Sequence, residues 1–580
     1  MNRGVLKIIL LTALSLVLIV GALGLSGSMA PLLGGATGLD IDGVAKPHGE
    51  PVDANAHRWA HYGGDAGGSR YVDLDAITPD NVRRLKKAWE YRTGDIQRPV
   101  ALRNRSASEA TPILVGDSLV FCTPFNEVIA LHPETGEEKW RFDPQINLDQ
   151  RPANQFVCRG VAQWRDALAN PHGACSQRIF MGTNDARLVA LDAQTGALCR
   201  DFSDGGIVTI EPGMDLVWPG EFQITSPPVV INGVVVVGSA ISDNARVAAP
   251  SGVVRAYDAR TGTLKWTFDP IPRSPDAPNA RDWHGGVIPV EGHANVWAPM
   301  SIDLARGLVF LPTSSASPDF FGGLRPGDNR YANAVVALHA ETGDVAWSFQ
   351  IVHHDIWDYD LPAQPGLYSV WRDGEAHDVV AQVTKTGHVF VLDRDTGAPF
   401  LPVEERPVPQ GGAAGEYLSP TQPFPMATPA IVPDTLSPED AFGLTWFDKR
   451  YCVQAIRNAR GEGLYTPPSL KGTLLYPANG GGANWGGAAY DPARNLLVVN
   501  MSNFAHHVQL IPAAEVDTVS EVYHDSEVSP QTGAPFGMKR EVLVSPLGLP
   551  CTPPPWGVLA GVNLASGEIV WRKTLGTVAD

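Results

Sequence analysis

A recurring turn constrains the fold of this chain more than any other feature of its sequence. Each copy consists of an apolar strand, a polar residue and a tight turn, which is Thr-Gly in most copies, and a second strand that in several copies ends in tryptophan. The glycine supplies the positive φ that such a turn needs, and the flanking alternation places one face of each strand in a core. Seven copies occupy residues 129–140, 189–196, 255–266, 336–347, 390–397, 489–495 and 561–571.

One such hairpin sheet cannot bury its own apolar face, so the copies must pack on one another. The intervals between them leave room for about four strands each, which is typical of a β-propeller. We therefore predict an all-β propeller whose turn tryptophans pack between neighbouring sheets; an antiparallel sandwich array is the alternative. Because 59 Gly and 49 Pro are spread along the chain, helical turns are expected only at residues 437–442 and 81–89, the latter with Thr78 as N-cap.

The N-terminus predicts export. Arg3 and Lys7 precede an apolar run over residues 8–25. Such a segment fits a signal peptide or a single membrane anchor, and the length of the apolar run favours an uncleaved anchor. We assign residues 1–30 to this segment, residues 31–56 to a linker and residues 57–580 to the propeller domain. Export permits disulfides, and the six cysteines show no CxxC spacing, but the sequence does not determine their pairing.

The charge of the chain argues against nucleic acid as a partner. There are 44 basic and 62 acidic residues, which gives a net charge of −18. Phosphate binding needs basic patches, and the longest basic run, at residues 83–87, is typical of a solvated helix face.

One polar segment stands apart from the repeats. Residues 353–362 carry three carboxylates, two imidazoles and two aromatic rings without an amphipathic period, and they end at Pro362. This pattern predicts a loop at a strand end, where binding and catalytic groups are commonly placed. A solvated acidic turn is the alternative. Trp297 and Trp485 also lie outside the repeat turns, on connections that we expect to face one end of the propeller.

Several motifs together resemble those of the quinoprotein dehydrogenases, most closely the membrane-bound glucose/quinate/shikimate branch that uses pyrroloquinoline quinone (PQQ). The resemblance runs from about Trp59 to the last residue. It implies an eight-bladed propeller with PQQ and a divalent cation, usually calcium, with magnesium as the other possibility, near the axis. The motifs lie at residues 59–63, 108–112, 158–161, 225–228, 295–299, 353–362 and 384–394.

The resemblance also implies roles for individual residues. Asp355 would be the general base, Lys385 would donate to the quinone oxygens, and Trp297 would be the aromatic floor under the cofactor. Asp243, Asn244 and Ser317 match the cation ligand region, with Ser317 where relatives carry Asn or Thr. Further contacts to the carboxylates and rim of the cofactor would come from Glu109, Arg159, Thr225, Asn484 and Trp485.

One position bears on the substrate. Gln155 stands where the glucose enzymes carry a histidine over the cofactor, and the chain has no vicinal cysteines to supply the disulfide of the alcohol-oxidising relatives. The resemblance implies a dehydrogenase for a sugar, polyol or cyclic hydroxy acid that passes electrons to ubiquinone at the periplasmic side of the inner membrane. The alternative is a non-catalytic periplasmic scaffold of the outer-membrane assembly type. Such a scaffold would have no reason to keep Asp355, Lys385, Trp297 and Asp243.

The C-terminus carries a further expectation. The seventh copy closes at Trp571 and the sequence ends at Asp580, whereas relatives continue through one more turn unit. In the family the N-terminal strand, here about residues 58–70, completes the last blade. We therefore predict eightfold spacing with the last blade missing and an opening about one blade wide. An open sheet edge of this kind leaves amides and carbonyls unpaired.

Overall fold

The structure, a computed structural model, describes residues 59–74, 76–283, 289–522 and 526–576. The expected anchor at residues 1–30 and the expected linker at residues 31–56 lie outside these ranges. Within the described part of the chain, no helix is both long and apolar enough to cross a membrane.

Six antiparallel sheets carry the recurring turn, and in each of them the strands pair in the order in which they occur along the chain. The first sheet contains β1 (Ile113–Val115), β2 (Ser118–Cys122), β3 (Val128–Leu131) and β4 (Glu138–Phe142). The second contains β5 (Ala162–Arg165), β6 (Gln177–Gly182), β7 (Arg187–Asp192) and β8 (Ile207–Thr209). The third contains β10 (Val229–Ile231), β11 (Val234–Val237), β13 (Val254–Asp258) and β14 (Leu264–Phe268).

The remaining three follow the same pattern. The fourth sheet contains β15 (Ser301–Asp303), β16 (Leu308–Pro312), β17 (Ala334–His339) and β18 (Val345–Gln350). The fifth contains β19 (Gly366–Arg372), β20 (Glu375–Val383) and β21 (Val389–Asp393). The sixth contains β25 (Ala488–Asp491), β26 (Leu496–Ser502), β30 (Gly557–Asn563) and β31 (Ile569–Thr574).

The seven copies of the turn correspond to six sheets. In the four-stranded sheets the complete turn joins the third strand to the fourth, as at residues 561–567 between β30 and β31. The degenerate copy at residues 489–495 instead joins β25 to β26 of that same sheet. The sixth sheet therefore carries two turns with similar sequences, and counting turns overestimates the number of sheets by one.

An additional sheet contains no copy of the turn. It consists of β24 (Thr473–Leu475), β27 (His506–Pro512), β29 (Phe536–Val542) and β28 (Glu527–Ser529), in that order. Its strands come from excursions before and within the sixth sheet. Two hairpins complete the strands: β9 (Phe222–Gln223) with β12 (Ala240–Ile241), and β22 (Val403–Pro407) with β23 (Thr421–Pro425).

Apolar residues join the six sheets in series. One buried cluster lies between each sheet and the next, from the first to the sixth. The turn tryptophans take part as predicted: the indole of Trp140 donates to the Ala193 carbonyl in the turn of the following sheet at 3.2 Å. Trp266 does the same to Ala340 at 2.8 Å. The sequential packing is that of the predicted propeller; the one-blade opening stays a prediction.

Residues 59–71 contact the first strands of several sheets, and the expectation that this segment completes the last blade stays a prediction. Their carbonyls accept backbone hydrogen bonds from the first strands of four sheets. The side chain of Gln163 on β5 adds a fifth contact, to the Ala60 carbonyl at 3.1 Å. The backbone donors are Leu114, Ile302, Leu367 and Tyr490. This axial segment (residues 59–71) therefore links the sheets where they converge.

The helical content was only partly predicted. Residues 81–89 contain one 3₁₀ turn, Val82–Arg84, with Asn81 rather than Thr78 at its N-cap. The turn at residues 437–442 is a 3₁₀ helix, Pro438–Asp440, with a capping box from Ser437. The sequence did not predict three further 3₁₀ turns, at Asp95–Gln97, Ala280–Asp282 and Ala513–Glu515. Nor did it predict the α-helices α1 (Val100–Arg103), α2 (Trp446–Asn458) and α3 (Val516–Val522).

All six cysteines form disulfides, which fits the predicted export. The pairs are Cys122–Cys158, Cys175–Cys199 and Cys452–Cys551. The first joins the first two sheets, and the third fixes α2 to the segment that precedes β30.

Candidate active site

A cavity of about 780 Å³ lies where the six sheets converge. Each sheet contributes a polar or aromatic residue from the segment that leads into its first strand, three to six residues before that strand begins. Repeating one structural position around the propeller therefore brings residues distant in sequence to one place. The six residues are Glu109, Arg159, Thr225, Trp297, Asp360 and Asn484.

A buried lysine and two carboxylates form the charged centre of this cavity. The Nζ atom of Lys385 lies 2.9 Å from Oδ1 of Asp358 and 3.3 Å from Oδ2 of Asp360. Burial alone would lower the pKa of this lysine, but the two carboxylates outweigh it and raise that pKa. Lys385 is therefore a fixed cation at the base of the cavity.

The two carboxylates are not equivalent. Burial raises the pKa of Asp360 to about 6 against the opposing effect of Lys385. Burial also acts on Asp358, but Lys385 and Arg540 outweigh it and lower the pKa of that group. The two groups also interact with each other, so the pair is best regarded as one site in which Asp358 favours the carboxylate and Asp360 holds a proton more readily than a free aspartate.

Asp355, the predicted general base, does not line the cavity. Its carboxylate is buried and accepts hydrogen bonds from the Ser315 hydroxyl and from the backbone amides of Trp357 and Tyr359, the last two at 3.1 and 3.0 Å. Ser315 Oγ also lies 3.1 Å from Oδ1 of Asp360. Asp355 therefore organises the loop, whereas Asp358 and Asp360 of the same loop face the cavity.

The predicted carboxylate-binding residues lie together. Arg159 forms an ion pair with Glu109 at 2.9 Å and donates to Thr225 Oγ1 at 2.9 Å. Its guanidinium carbon lies 4.9 Å from the ring centroid of Trp297 and 5.8 Å from that of Trp485. Its Nε atom is buried without a hydrogen-bond partner among the described residues. This cationic donor between two indoles suits an anionic planar ligand.

Asn484 and Gln155 also line the cavity, as predicted. The Asn484 side-chain oxygen accepts a hydrogen bond from the Trp485 amide at 2.8 Å, which fixes the chain next to that indole. Gln155 is exposed at the cavity wall and is free to contact a ligand through its amide group.

The predicted cation ligands are brought together only in part. Asp243 faces the cavity, but Ser317 is buried with its hydroxyl donating to the Val247 carbonyl at 2.6 Å and accepting from the Gly292 amide at 2.9 Å. The Asn244 side-chain oxygen accepts from the amide of Asp319 at 3.3 Å. Ser317 and Asn244 therefore use the oxygens that would bind a cation in hydrogen bonds within the protein.

A different set of side chains surrounds Asp243. Asp243, His293 and Asp319 place ligand atoms within 4.8 Å of one another. Burial and then neighbouring carboxylates raise the pKa of Asp319 and of Asp243. Such mutual repulsion is what a bound divalent cation relieves, and the carboxylate oxygens suit calcium or magnesium.

The additional sheet supplies cavity residues that the sequence did not predict. Arg540 on β29 lies 3.0 Å from Asp358 Oδ2 and also pairs with Glu527 on β28. Asn479 donates a hydrogen bond to Asp358 and lies 2.6 Å from His506 Nδ1. Neither the strands of this sheet nor the connection that carries Asn479 contains a copy of the turn, so the sequence offered no signal for these residues.

Comparison with known proteins gives consistent results over nearly the whole chain. Residues 59–580 match the family model "PQQ: Glucose/ethanol/alcohol dehydrogenase, beta-propeller domain". The chain is 37% identical to the quinoprotein glucose dehydrogenase of Escherichia coli K12, over 97% of this chain and 72% of that protein. It is also 37% identical to the quinate/shikimate dehydrogenase (quinone) of Acinetobacter baylyi, over 95% of this chain and 71% of that protein.

A glycerol dehydrogenase large subunit of Gluconobacter oxydans is 38% identical, over 90% of this chain and 71% of that protein. Among solved structures, the quinohemoprotein alcohol dehydrogenase of Comamonas testosteroni superimposes with a TM-score of 0.58 at 22% identity, covering 90% of this chain and 74% of that one. At that identity the structural likeness bears on the fold alone.

Proposed function

The chain belongs to the glucose/ethanol/alcohol dehydrogenase family of PQQ β-propeller proteins, and from this we propose that it oxidises an alcohol carbon of a sugar, polyol or cyclic hydroxy acid and passes the electrons to membrane ubiquinone. It is a PQQ-dependent dehydrogenase rather than the non-catalytic scaffold considered above. The observation that carries the proposal is the buried Lys385–Asp358–Asp360 cluster beside two indoles in one axial cavity.

The residues of the cavity fit PQQ. The Nε of Arg159 has no hydrogen-bond partner in the part of the chain that the structure describes, and with the faces of Trp297 and Trp485 it suits a flat polycarboxylate. Glu109, Thr225, Asn484 and Gln155 would hold its rim. Asp243 and Asp319 would hold a calcium or magnesium ion, with Asn244 and Ser317 available only if their internal hydrogen bonds open. When bound, the quinone supplies the acceptor for two electrons and the cation polarises it.

We assign proton transfer to the Asp358–Asp360 pair instead of Asp355. Oxidation of an alcohol requires a base within reach of the hydroxyl proton. Asp358 and Asp360 line the cavity, whereas Asp355 is buried and its carboxylate is hydrogen bonded to Ser315 and to two backbone amides of its own loop. Asp358 remains ionised beside Lys385 and Arg540 and takes the substrate proton. Asp360, held by Trp297 and Ser315, shares that proton through its contact with Asp358. Lys385 stabilises the negative charge that develops at the cavity floor.

The function is tested by a dye-coupled activity screen of the chain loaded with PQQ and calcium or magnesium. The substrates are glucose, quinate, shikimate, glycerol and inositol. Reduction of the dye that requires PQQ and one of these substrates supports the proposal. An absence of PQQ-dependent reduction with all five would overturn it, provided that the chain is folded and takes up the cofactor.

The location also belongs to the proposal. The apolar run at residues 8–25 supports anchoring at the periplasmic side of the inner membrane, next to the quinone pool. Three disulfides support an oxidising compartment.

A further inference from the structure

The first turns of α2 expose an aromatic cluster that the dehydrogenase site does not use. Trp446 is 64% exposed, Phe447 77% and Tyr451 50%. The rings of Trp446 and Phe447 contact each other edge to face at 4.7 Å. Exposed aromatic side chains on one helix are unusual for a surface that meets only water, so this face has the character of a contact surface.

The opposite face of α2 is fixed to the body of the protein. Asp448, Cys452 and Ile456 are buried at spacings of four residues, and Cys452 is bonded to Cys551. The Thr445 hydroxyl accepts a hydrogen bond from the Asp448 amide at 3.2 Å and caps the helix. The aromatic cluster is therefore held outward by a rigid support and does not result from a loose helix.

The charges on the outer face are positive although the chain as a whole is acidic. Lys449, Arg450 and Arg457 are exposed, and the one acidic residue of the helix, Asp448, is buried. Arg450 lies over the Trp446 ring at 5.5 Å. The acidic residues on the 3₁₀ helix that contacts α2 are Glu439 and Asp440, and Asp440 is hydrogen bonded to Ser437.

Trp and Tyr next to Lys and Arg are the residues that populate the interface between water and lipid headgroups. The exposed Lys449, Arg450 and Arg457 add positive charge to this face, and an anionic bilayer surface attracts such cations. We propose that the outer face of α2 docks on the headgroup region of an anionic lipid bilayer. This inference rests on the proposed membrane location of the enzyme.

Docking would solve a positional problem left by the expected anchor. A linker of residues 31–56 can span up to roughly 90 Å, so the anchor alone does not determine which side of the propeller meets the bilayer. A second contact through α2 gives the propeller one orientation. It therefore affects how often the enzyme meets quinone in the membrane, and not the chemistry in the cavity.

The test uses the full chain with Phe447→Cys, labelled with a nitrobenzoxadiazole dye and reconstituted in vesicles of phosphatidylethanolamine and phosphatidylglycerol. The six native cysteines are paired, so labelling is selective. We expect quenching by doxyl-labelled lipids, and a loss of that quenching when phosphatidylcholine replaces phosphatidylglycerol. The matched control is Leu168→Cys, at another exposed apolar residue, which is 84% exposed and should respond only to aqueous iodide.

Three results are distinguishable at Phe447. Quenching by the lipid supports docking. Quenching by iodide without quenching by lipid overturns it. Protection from both quenchers also overturns it, because the surface would then be covered by a second copy or another protein.

A second measurement separates this inference from the proposed function. The variant Trp446→Ser/Phe447→Ser should lose rate with ubiquinone in vesicles and keep its rate with a soluble dye. Equal rates with ubiquinone for the variant and the wild type would contradict docking. An absence of dye-linked activity in the wild type would instead contradict the dehydrogenase proposal, and the quenching experiment would still decide the membrane contact.

Discussion

The indole Nε1 of Trp297 lies 2.7 Å from Oδ2 of Asp360. The residue proposed as the floor of the cofactor site is thus also a hydrogen-bond donor to the proposed proton-transfer pair. A ligand that stacks on this indole would lie next to Asp360 and Lys385. Binding and chemistry therefore share one side chain, and substitutions at Trp297 can separate them.

Trp297→Ala should raise the PQQ concentration needed for half activation, because it removes the stacking surface. Trp297→Phe keeps an aromatic face but loses the donor to Asp360, so it should retain much of the PQQ affinity and lose turnover. A titration of each apoenzyme with PQQ, followed by activity, measures both effects. An unchanged half-activation concentration in Trp297→Ala would place the floor elsewhere.

Asp358→Asn should bind PQQ and lose at least about a hundredfold in turnover, which is the scale of a lost general base. Asp355→Asn should lose less turnover and more thermal stability, since Asp355 holds two backbone amides of its loop. Turnover numbers and unfolding midpoints of both variants check this.

The matched control for these variants is Asp149→Asn at an exposed aspartate outside the cavity. It should behave as the wild type. If Asp355→Asn abolished turnover while Asp358→Asn remained active with the same PQQ affinity, the role would return to Asp355.

Lys385→Met should move the acid limb of the pH–rate profile to higher pH. The limb reports the Asp358–Asp360 pair, in which burial raises the pKa of Asp360 to about 6 while Lys385 opposes it. Removing this cation leaves the carboxylates less stabilised, so they take up protons at higher pH. Turnover measured between pH 5 and 9 would show the shift; a limb at the wild-type pH would mean that another group controls it.

Gly343→Ala should destabilise the propeller more than Gly374→Ala. Both glycines have positive φ, 79° and 86°, so both substitutions carry a backbone cost of about 1–2 kcal/mol. A Cβ on Gly343 would lie 2.7 Å from the Trp266 ring, whereas one on Gly374 would meet nothing within 4 Å. The clash adds about 1–3 kcal/mol. Urea unfolding of both variants gives the comparison, and equal destabilisation would argue against tight packing at that turn.

Glu416→Gln should flatten the dependence of stability on pH. Burial raises the pKa of Glu416 to about 7 despite Arg325 and the amides of Tyr417 and Gly322. The folded state therefore favours the protonated form, and its stability falls as the pH rises from about 4.3, the unfolded pKa, through 7.

The checking measurement for Glu416 is the thermal midpoint at pH 5 and at pH 8. The wild type should lose more between the two values than Glu416→Gln does. Glu137→Gln, at an exposed glutamate, is the control and should keep the wild-type difference. The same loss in Glu416→Gln and the wild type would show that the penalty arises elsewhere.

The acidic loop shows how far the sequence could define the site. Its composition indicated a functional loop, and Lys385 and Trp297 lie beside it. The choice among its three aspartates could not be made, because His354 and Asp358 have positive φ, 45° and 61°, and the sequence does not show such backbone conformations. Only the folded backbone determines that Asp355 turns inward and Asp358 toward the cavity.

The fold was predictable where one local pattern controls it, and not elsewhere. The turn with its tryptophan predicted hairpin sheets that pack in series. The additional sheet has no such pattern, since its strands pair across long insertions. α2 was missed although Thr445 precedes it and Asp448, Cys452 and Ile456 recur at helical spacing. The exposed aromatics on its other side obscured that periodicity.

The axial segment has a consequence for the order in which the molecule can assemble. Residues 59–71 are made early in synthesis, yet their partners extend to Tyr490, more than four hundred positions later. The segment cannot complete its contacts until the sixth sheet exists, and such distant pairing slows folding. Until then the point where the sheets converge is incomplete, and the cavity at that point forms among the last parts of the protein.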